Sequence, residues 1–252
     1  AGESIGEYGP YYQSQRTDIY AKRIEELRAK ELLYEDEGAL RFRMPREPIT
    51  IPDLICGDVL RELTDREELQ PDFVVVRSDG KPVFHLVNVV DDIEMGITHV
   101  IRGEDHLSNT SKHIALFKAF EVEPPKFGHI PLILNSNGSK MSKRDDGASL
   151  EGWQKAGYVP DAVNNYLSLL GWSPKDDSQV LPMKEIIERF DLPQINRANA
   201  RFDLEKLEWM NYEHLRMLPM EQYRFMAASA GVEFGNETDE YITAALASCQ
   251  DK

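Results

Sequence analysis

Four residues suited to binding phosphate groups lie within a stretch of five near the middle of the sequence: Lys140, Ser142, Lys143 and Arg144. They follow an apolar segment typical of a strand and a polar turn that contains a glycine. Long cationic side chains beyond a strand end can neutralise the charge that develops on phosphates in a transition state. Ligands of open α/β sheets also collect at strand ends. The pattern indicates triphosphate chemistry, and a solvated basic turn is the alternative interpretation.

A second polar set lies upstream of this basic stretch. Its acidic members are Asp91, Asp92, Glu94, Glu104 and Asp105. Arg102 stands among them, and its planar guanidinium can bind a carboxylate through parallel hydrogen bonds. An ion pair of Arg102 with Asp105 or Glu104 is the alternative for the arginine. A metal site or a solvated face is the alternative for the acidic residues.

The elements that must position these residues begin with a helix and a strand. Tyr20, Ile24 and Leu27 are spaced as on one face of an amphipathic helix, which predicts a helix from about Ser14 to Leu33. Apolar and polar residues then alternate over Leu40–Met44, the period of a half-buried strand.

A hairpin is predicted next. The apolar run Phe73–Val76 leads to Asp79-Gly80, and Asp-Gly between β-rich runs is a strong turn signal. We therefore expect Val83–Leu86 to form the returning strand.

The segment before the basic stretch predicts a strand, a helix and a strand: Thr98–Arg102, Asn109–Phe120 and Ile130–Leu134. This order is typical of a parallel α/β unit. Beyond Ser149 the periodicity is helical, with helices expected around Val163–Leu170, Ile186–Phe190 and Leu204–Trp209. The C-terminal part is therefore predicted to be an α-helical domain.

Composition excludes several classes of protein. The net charge of −15 over 252 residues argues against a general nucleic-acid binder, although an acidic protein can carry a local basic groove. Two isolated cysteines, Cys56 and Cys249, predict neither a disulfide framework nor a zinc site, and they favour the cytoplasm. The histidines lack metal-ligand spacing, so no metal site is expected. No signal peptide or membrane span is indicated.

Longer strings carry a family resemblance. Phe84–Asp92 (FHLVNVVDD) together with Ile101–Leu107 (IRGEDHL) resembles the catalytic-domain signature of bacterial-type glutamyl-tRNA synthetases. Residues 140–144 (KMSKR) resemble the lysine–serine–lysine signature of class I aminoacyl-tRNA synthetases. Tyr8–Arg16 and Phe202–Asn211 extend the similarity, which covers nearly the whole chain.

The resemblance implies an α/β fold. The expected architecture is a class I Rossmann-type parallel sheet with an inserted α+β connective domain, followed by an α-helical stem-contact domain. The implied segments are the end of the first Rossmann half (1–39), a shortened connective insertion (40–83), the second Rossmann half with the KMSKR loop (84–148), the stem-contact domain (149–215) and the start of the anticodon-binding region (216–252).

The resemblance also implies a reaction and a set of site residues. ATP with Mg²⁺ would activate L-glutamate as glutamyl-adenylate, and tRNA(Glu) would then accept the glutamyl group. The implied glutamate ligands are Phe84, Asn88 and Arg102, with Phe84 standing where many relatives carry Tyr. The implied ATP ligands are Asp105, His106, Ile133 and Lys143, and the implied catalytic residues are Lys140, Ser142, Lys143 and Arg144. A cytoplasmic monomer is expected.

Contact with tRNA is expected from cations of the helical tail, namely Arg197, Arg201, Lys206 and Arg216. The sequence also departs from the family pattern. The N-terminal HIGH signature and most of the anticodon-binding region are expected outside the given residues, and the insertion after Tyr34 is short. A glutaminyl or non-discriminating synthetase and a non-catalytic tRNA-binding paralogue stay open as alternatives.

The first prediction concerns Lys143. In the complete protein, Lys143→Ala should slow glutamate-dependent pyrophosphate exchange about a hundredfold, or on the order of 3 kcal/mol, because a cation facing phosphate is lost. Stability should change by no more than about 0.5 kcal/mol, since the loop is polar. Nearly normal exchange with unchanged melting would mean that the loop is only a solvated turn.

Overall fold

The computed structural model describes residues 15–62, 71–142 and 149–250. The chain divides into two compact units, residues 1–129 and 130–252. The strands up to the boundary are β1 (Leu33–Asp36), β2 (Ala39–Phe42), β3 (Ile49–Asp53), β4 (Gly57–Arg61), β5 (Phe73–Val76), β6 (His99–Gly103) and β7 (Lys126–Ile130). The helices of the first unit are α1 (Thr17–Ala29), α2 (Phe84–Glu94) and α3 (Leu107–Ala119), and a 3₁₀ turn at Glu104–His106 precedes α3. The finer division into five segments stays a prediction.

Two sheets organise this part of the chain. Strands β1, β2 and β5 form a three-stranded sheet in that order, with antiparallel pairing throughout. The second sheet has the order β4-β3-β7-β6. In it β3 pairs antiparallel with β4 and parallel with β7, where Asp53 lies opposite Phe127. The end of β3 therefore lies beside Phe127, two residues before His129 on the same strand.

The core of the first unit is built from the apolar faces of its helices and sheets. Leu27 of α1, Leu86 and Val89 of α2 and Leu116 of α3 are all fully buried. They belong to one cluster that also includes Phe127 of β7. Because neighbouring core positions come from α2, α3 and β7, this cluster fixes the elements that carry the polar residues of the site.

The predicted N-terminal helix and first strand are confirmed with shorter bounds. The helix covers Thr17–Ala29, and the strand covers Ala39–Phe42, which overlaps the predicted Leu40–Met44 over residues 40–42. The helix ends where Glu31 adopts a positive φ of 55°, a conformation that cannot continue a right-handed helix. Ser14 lies outside the described residues.

The predicted returning strand at Val83–Leu86 is wrong. The turn itself is present, because the Arg77 N–H donates to the Lys81 carbonyl and the Val83 N–H donates to the Val75 carbonyl. Helix α2 then begins at Phe84. A four-residue run with three apolar residues is compatible with either element, and the helical repeat of buried residues further along α2 decides the outcome.

The predicted strand, helix and strand are confirmed in part. Strand β6 and helix α3 form within one or two residues of the predicted bounds. The third element is not one buried strand over Ile130–Leu134: β7 ends at Ile130, and Ile133–Leu134 belongs to another sheet. Pro131 has no N–H for a strand ladder, which explains the break. Ile133 is 37% exposed.

The second unit is mainly helical, as predicted. Its short strands β8 (Ile133–Leu134) and β9 (Ala200–Arg201) pair in parallel. Its helices are α4 (Leu150–Lys155), α5 (Pro160–Gly171), α6 (Met183–Arg189), α7 (Leu204–Met217), α8 (Met220–Ser229) and α9 (Asp239–Gln250). In the ranges that the structure describes, no helix is both long and apolar enough to cross a membrane.

A buried tyrosine links two helices of the second unit. Tyr166 of α5 is 1% exposed, and its hydroxyl accepts a hydrogen bond of 2.6 Å from the N–H of Asp203, the N-terminal capping residue of α7. Leu207 and Met210 of α7 pack in the same cluster as Tyr166. The hydroxyl therefore fixes the start of α7 against α5.

Tyr166→Phe should lower the free energy of unfolding by about 1–2 kcal/mol, because the Asp203 N–H loses its acceptor in a partly buried position. Thermal and urea melting measure the change. Tyr241→Phe is the matched control, since Tyr241 is 62% exposed and should tolerate the change. Equal melting of the two variants would contradict the role given to the Tyr166 hydroxyl.

Candidate functional site

The guanidinium of Arg102 lies at the centre of a polar cluster in the first unit. It is half-buried on β6, and its Nη2 donates to the Thr110 hydroxyl at 2.8 Å and to the His106 carbonyl at 3.4 Å. Its Nε donates to Nε2 of His129 at 3.3 Å, and its Nη1 lies 3.5 Å from Nδ1 of His113. The hydrogen-bond partners of this cation are neutral groups.

The positive charge of Arg102 is not neutralised by a direct ion pair with any described residue. Among the described residues, the carboxylates that influence it are Asp92 and Asp105, and neither forms an ion pair with it within 4.0 Å. Burial lowers the pKa of Arg102, while these two carboxylates act in the opposite direction. A half-buried cation held by neutral acceptors can receive an anion from solution.

An aspartate and a histidine lie directly behind Arg102. Nδ1 of His129 is 2.6 Å from Oδ2 of Asp53, and both side chains are fully buried. Oδ1 of Asp53 accepts the backbone N–H groups of Ile55, Cys56 and His129. Burial alone would raise the pKa of Asp53, but the hydrogen bonds from Cys56, His129 and Ile55 bring the pKa below its ordinary value. Asp53 is therefore an ionised, fully hydrogen-bonded carboxylate.

Two further histidines line the other side of the guanidinium. Nδ1 of His85 lies 3.2 Å from Nε2 of His113. Burial, followed by the charges of Lys112 and Arg102, lowers the pKa of His85 to about 4. Burial and Arg102 similarly lower the pKa of His113 to about 3. Both rings are therefore neutral at neutral pH and add no charge to the site.

One face of helix α2 carries Phe84, Asn88 and Asp92 at intervals of four residues. Phe84 is 47% exposed, and its ring lies 6.0 Å from that of His106 and 5.9 Å from that of His113. Asn88 is half-buried one turn further along. The structure thus brings Phe84 to the same histidines that contact Arg102.

The turn between β6 and α3 carries Asp105 and His106. Nδ1 of His106 lies 3.1 Å from the side-chain nitrogen of Asn109. A Cβ at Gly103 would approach Oδ1 of Asp105 to 2.6 Å, so a side chain at this position would require the Asp105 carboxylate to move. These residues lie at the carboxyl end of β6, where ligands of α/β sheets bind.

The remaining sequence-predicted residues belong to the second unit. The Met141 N–H donates to the Ile133 carbonyl at 2.9 Å, and Leu134 bridges Lys140 in antiparallel fashion. This hairpin holds Lys140 and Ser142 next to β8. Lys143 and Arg144 lie outside the described residues, and the roles of all four stay predictions.

The cations proposed for tRNA contact lie on the helical unit. Arg197, Arg201 and Arg216 are exposed, and Lys206 is half-buried. Arg201 donates to the Ser136 carbonyl at 3.3 Å, and Arg216 forms an ion pair of 3.6 Å with Glu213. Their role in tRNA contact stays a prediction.

Sequence reasoning missed three residues whose side chains contact Arg102, namely Thr110, His113 and His129, and two that contact those histidines, namely Asp53 and His85. Asp53 and His129 are 76 positions apart, so spacing gives no hint of their contact. A polar histidine within the apolar end of β7 was the available signal, since a buried polar side chain needs a partner. The described residues contain no group of three or more potential metal ligands.

Comparison with known proteins places this geometry in a family. Residues 29–209 match the family described as tRNA synthetases class I (E and Q), catalytic domain. The chain is 50% identical to a glutamate–tRNA ligase of Methylacidiphilum infernorum, over 100% of this chain and 56% of that protein. It is 49% identical to a glutamate–tRNA ligase of Akkermansia muciniphila, over 98% of this chain and 57% of that protein. The chain thus spans just over half the length of these relatives.

A solved structure shows the same fold. The crystal structure of a glutamate tRNA ligase from Elizabethkingia meningosepticum in complex with its amino acid matches with a TM-score of 0.80 and 28% identity, covering 96% of this chain and 62% of that one. The glutamate-tRNA synthetase structure from Elizabethkingia anophelis matches with a TM-score of 0.80 and 29% identity, covering 97% and 63%. The predicted Rossmann-type α/β fold class is confirmed.

Two neighbouring aspartates of α2 should respond differently to neutralisation. Burial raises the pKa of Asp92 to about 6, with Asp91 adding to the effect and Arg102 opposing it. Because the folded state then holds the proton more tightly, Asp92 lowers stability as pH rises from about 4 through about 6. The melting temperature of Asp92→Asn should therefore exceed that of the wild type by more at pH 7.5 than at pH 5.

Asp91→Asn is the matched control for this comparison. Asp91 accepts hydrogen bonds of 2.9 Å from Arg16 and from the Tyr20 hydroxyl, so its neutralisation should lower the melting temperature at both pH values. A difference between Asp92→Asn and the wild type that stays constant over this pH range would contradict the raised pKa of Asp92.

Proposed function

The chain belongs to the family of class I tRNA synthetases for glutamate and glutamine, and on this premise we propose that it carries catalytic-domain residues of a glutamate–tRNA ligase. The proposed reaction is the ATP-dependent attachment of L-glutamate to tRNA(Glu) in protein synthesis. The match over residues 29–209 and the names of the relatives at about half identity support it.

The observation that carries the proposal is the half-buried guanidinium of Arg102 among neutral acceptors. A substrate carboxylate would supply the anion that this cation lacks at ion-pair distance among the described residues. Phe84 would form an apolar wall beside it, and Asn88 would add a neutral hydrogen bond. The side-chain carboxylate of glutamate fits such a cation better than the neutral side-chain amide of glutamine.

The proposed mechanism has two steps. An oxygen of the glutamate α-carboxylate attacks the α-phosphorus of ATP, which enters as its Mg²⁺ complex, and pyrophosphate leaves. A hydroxyl of the terminal adenosine of tRNA then attacks the activated carbonyl, and AMP leaves. Neither step needs a covalent enzyme nucleophile, so the protein contributes positioning and charge stabilisation.

Roles for the ATP ligands follow from the family. Asp105 and His106 are proposed to contact the nucleoside, and the backbone at Ile133 is proposed to contact the adenine. Lys140, Ser142, Lys143 and Arg144 are proposed to stabilise the phosphates during the transfer. Contact with tRNA is proposed for Arg197, Arg201, Lys206 and Arg216 and should weaken as salt concentration rises.

A glutaminyl enzyme is the second candidate, because the matched family includes both specificities. The relatives named above are glutamate–tRNA ligases, which favours glutamate. Charging of tRNA(Glu) and tRNA(Gln) with each amino acid by the complete protein separates the two candidates.

Arg102→Lys in the complete protein tests the proposed glutamate site. Lysine keeps the charge but loses the guanidinium geometry, so kcat/KM for glutamate in pyrophosphate exchange should fall about a hundredfold. Arg46→Lys is the control, because the exposed Arg46 side chain forms its ion pair of 2.8 Å with Asp72 rather than with Arg102 or its partners, so the change should leave exchange unchanged. Equal activity of the two variants would exclude Arg102 from the site, and a wild type without glutamate-dependent exchange would refute the proposed function.

A further inference from the structure

A buried hydrogen-bonded chain connects the end of β3 to the guanidinium of Arg102. Asp53 contacts Nδ1 of His129 at 2.6 Å, and Nε2 of His129 lies 2.9 Å from the Thr110 hydroxyl and 3.3 Å from Nε of Arg102. Asp53 and His129 have no exposed side-chain surface. They therefore act on Arg102 from behind.

Such a pair is a weak means of stabilising a fold. Removing a carboxylate and an imidazole from water costs several kcal/mol, and apolar residues of the same shape often serve stability as well or better. Three backbone N–H groups hold Oδ1 of Asp53 and so direct its Oδ2 at His129.

The geometry determines which nitrogen of His129 carries the proton. Burial lowers the pKa of His129, so the ring is neutral at neutral pH. A neutral ring next to the carboxylate of Asp53 donates from Nδ1, which leaves Nε2 as an acceptor. Nε2 then offers one lone pair, which the Nε–H of Arg102 at 3.3 Å and the Thr110 hydroxyl at 2.9 Å share. The Thr110 hydroxyl can also donate to the His106 carbonyl at 3.3 Å, while its oxygen accepts from Nη2 of Arg102.

This arrangement also determines which edge of the guanidinium is left for a ligand. The Nε and Nη2 groups of Arg102 are engaged by His129, Thr110 and the His106 carbonyl. The contact of Nη1 with His113 is 3.5 Å, at the outer limit of a hydrogen bond. Nη1 is therefore the group best placed to exchange its contact for a carboxylate oxygen.

We propose that Asp53 and His129 are positioning residues for amino-acid binding, which select the histidine tautomer that orients Arg102 with Nη1 towards the substrate carboxylate. The proposal rests on the proposed function of Arg102. Neither residue contacts substrate, so their effect passes through Arg102.

Asp53→Asn in the complete protein tests the proposal. The asparagine keeps an oxygen for the backbone N–H groups but presents an amide N–H to Nδ1 of His129. The ring proton should then move to Nε2, where it faces the N–H of Arg102. The KM for glutamate should rise about tenfold, while kcat changes less than about threefold and the KM for ATP stays unchanged. The reason is that the lost interaction binds the amino acid equally in the ground state and in the transition state.

Asp72→Asn is the matched control. Asp72 is also a buried carboxylate, with 8% side-chain exposure, that accepts a backbone N–H and a basic side chain, Met44 and Arg46. Among the described residues, Asp72 has no hydrogen bond to Arg102 or to the side chains of Thr110, His113 and His129. Its loss should lower the melting temperature without changing the KM for glutamate.

Two substitutions of His129 distinguish the effect of the hydrogen-bond acceptor at Nε2 from the effect of the volume that the ring fills. His129→Gln can place an amide oxygen near the position of Nε2, whereas His129→Leu fills the space without an acceptor. The glutamate KM should stay within about threefold of wild type for His129→Gln and rise about tenfold for His129→Leu. The double variant Asp53→Asn with His129→Gln should recover a KM close to that of His129→Gln alone. If Asp53→Asn fails to fold, the glutamate KM values of the two single His129 variants test the proposal.

Nitrogen-15 NMR of the histidine rings gives a readout that does not depend on activity. The proton of His129 should be found on Nδ1 in the wild type and on Nε2 in Asp53→Asn. A wild-type ring protonated on Nε2, or an unchanged glutamate KM in both Asp53→Asn and His129→Leu, would overturn the proposal. In the second case glutamate-dependent exchange by the wild type would leave the proposed function standing. Absence of that exchange in the wild type would refute both.

Discussion

The first unit is organised around one constraint: a guanidinium is half-buried and held by neutral groups. Arg102 is fixed by hydrogen bonds to Thr110, His129 and the His106 carbonyl. A cation in this environment is costly unless its donors are satisfied, and an incoming anion gains from the lowered dielectric. Strands β3, β6 and β7 and helix α3 each supply part of this support, so the sheet order β4-β3-β7-β6 is a precondition of the site.

The electrostatic design depends on keeping the nearest groups uncharged. Burial lowers the pKa values of His85 and His113 far enough that neither ring repels Arg102 at neutral pH. The carboxylates that influence the arginine act without direct contact, and burial raises the pKa of one of them, Asp92. The guanidinium thereby keeps its positive charge without a contacting carboxylate among the described residues. A carboxylate in hydrogen-bonding contact with the guanidinium would have cancelled it.

Sequence reasoning predicted the family, the fold class and the strongly periodic elements, including α1, α3 and the helical second unit. Prediction from sequence failed at Val83–Leu86, because a short and mostly apolar run fits either a strand or a helix. It also failed at Ile130–Leu134, because Pro131 interrupts an apolar run that was predicted to be one strand. Phe84, Asn88 and Arg102 were predicted as site residues because they lie in recognisable strings, and their role stays a prediction. Asp53 and His129 were not, because their link depends on β3 pairing with β7 and on the protonation of one ring nitrogen, neither of which is local in sequence.

A crystal structure of the complete protein with L-glutamate bound is the most direct test of the account. We expect a carboxylate oxygen of glutamate about 2.7–2.9 Å from Nη1 of Arg102, with Nη2 still donating to Thr110 and Nε to His129. Glutamate bound with both carboxylates on other groups, and Arg102 unchanged in its present contacts, would contradict the central claim that this cation is held for the substrate.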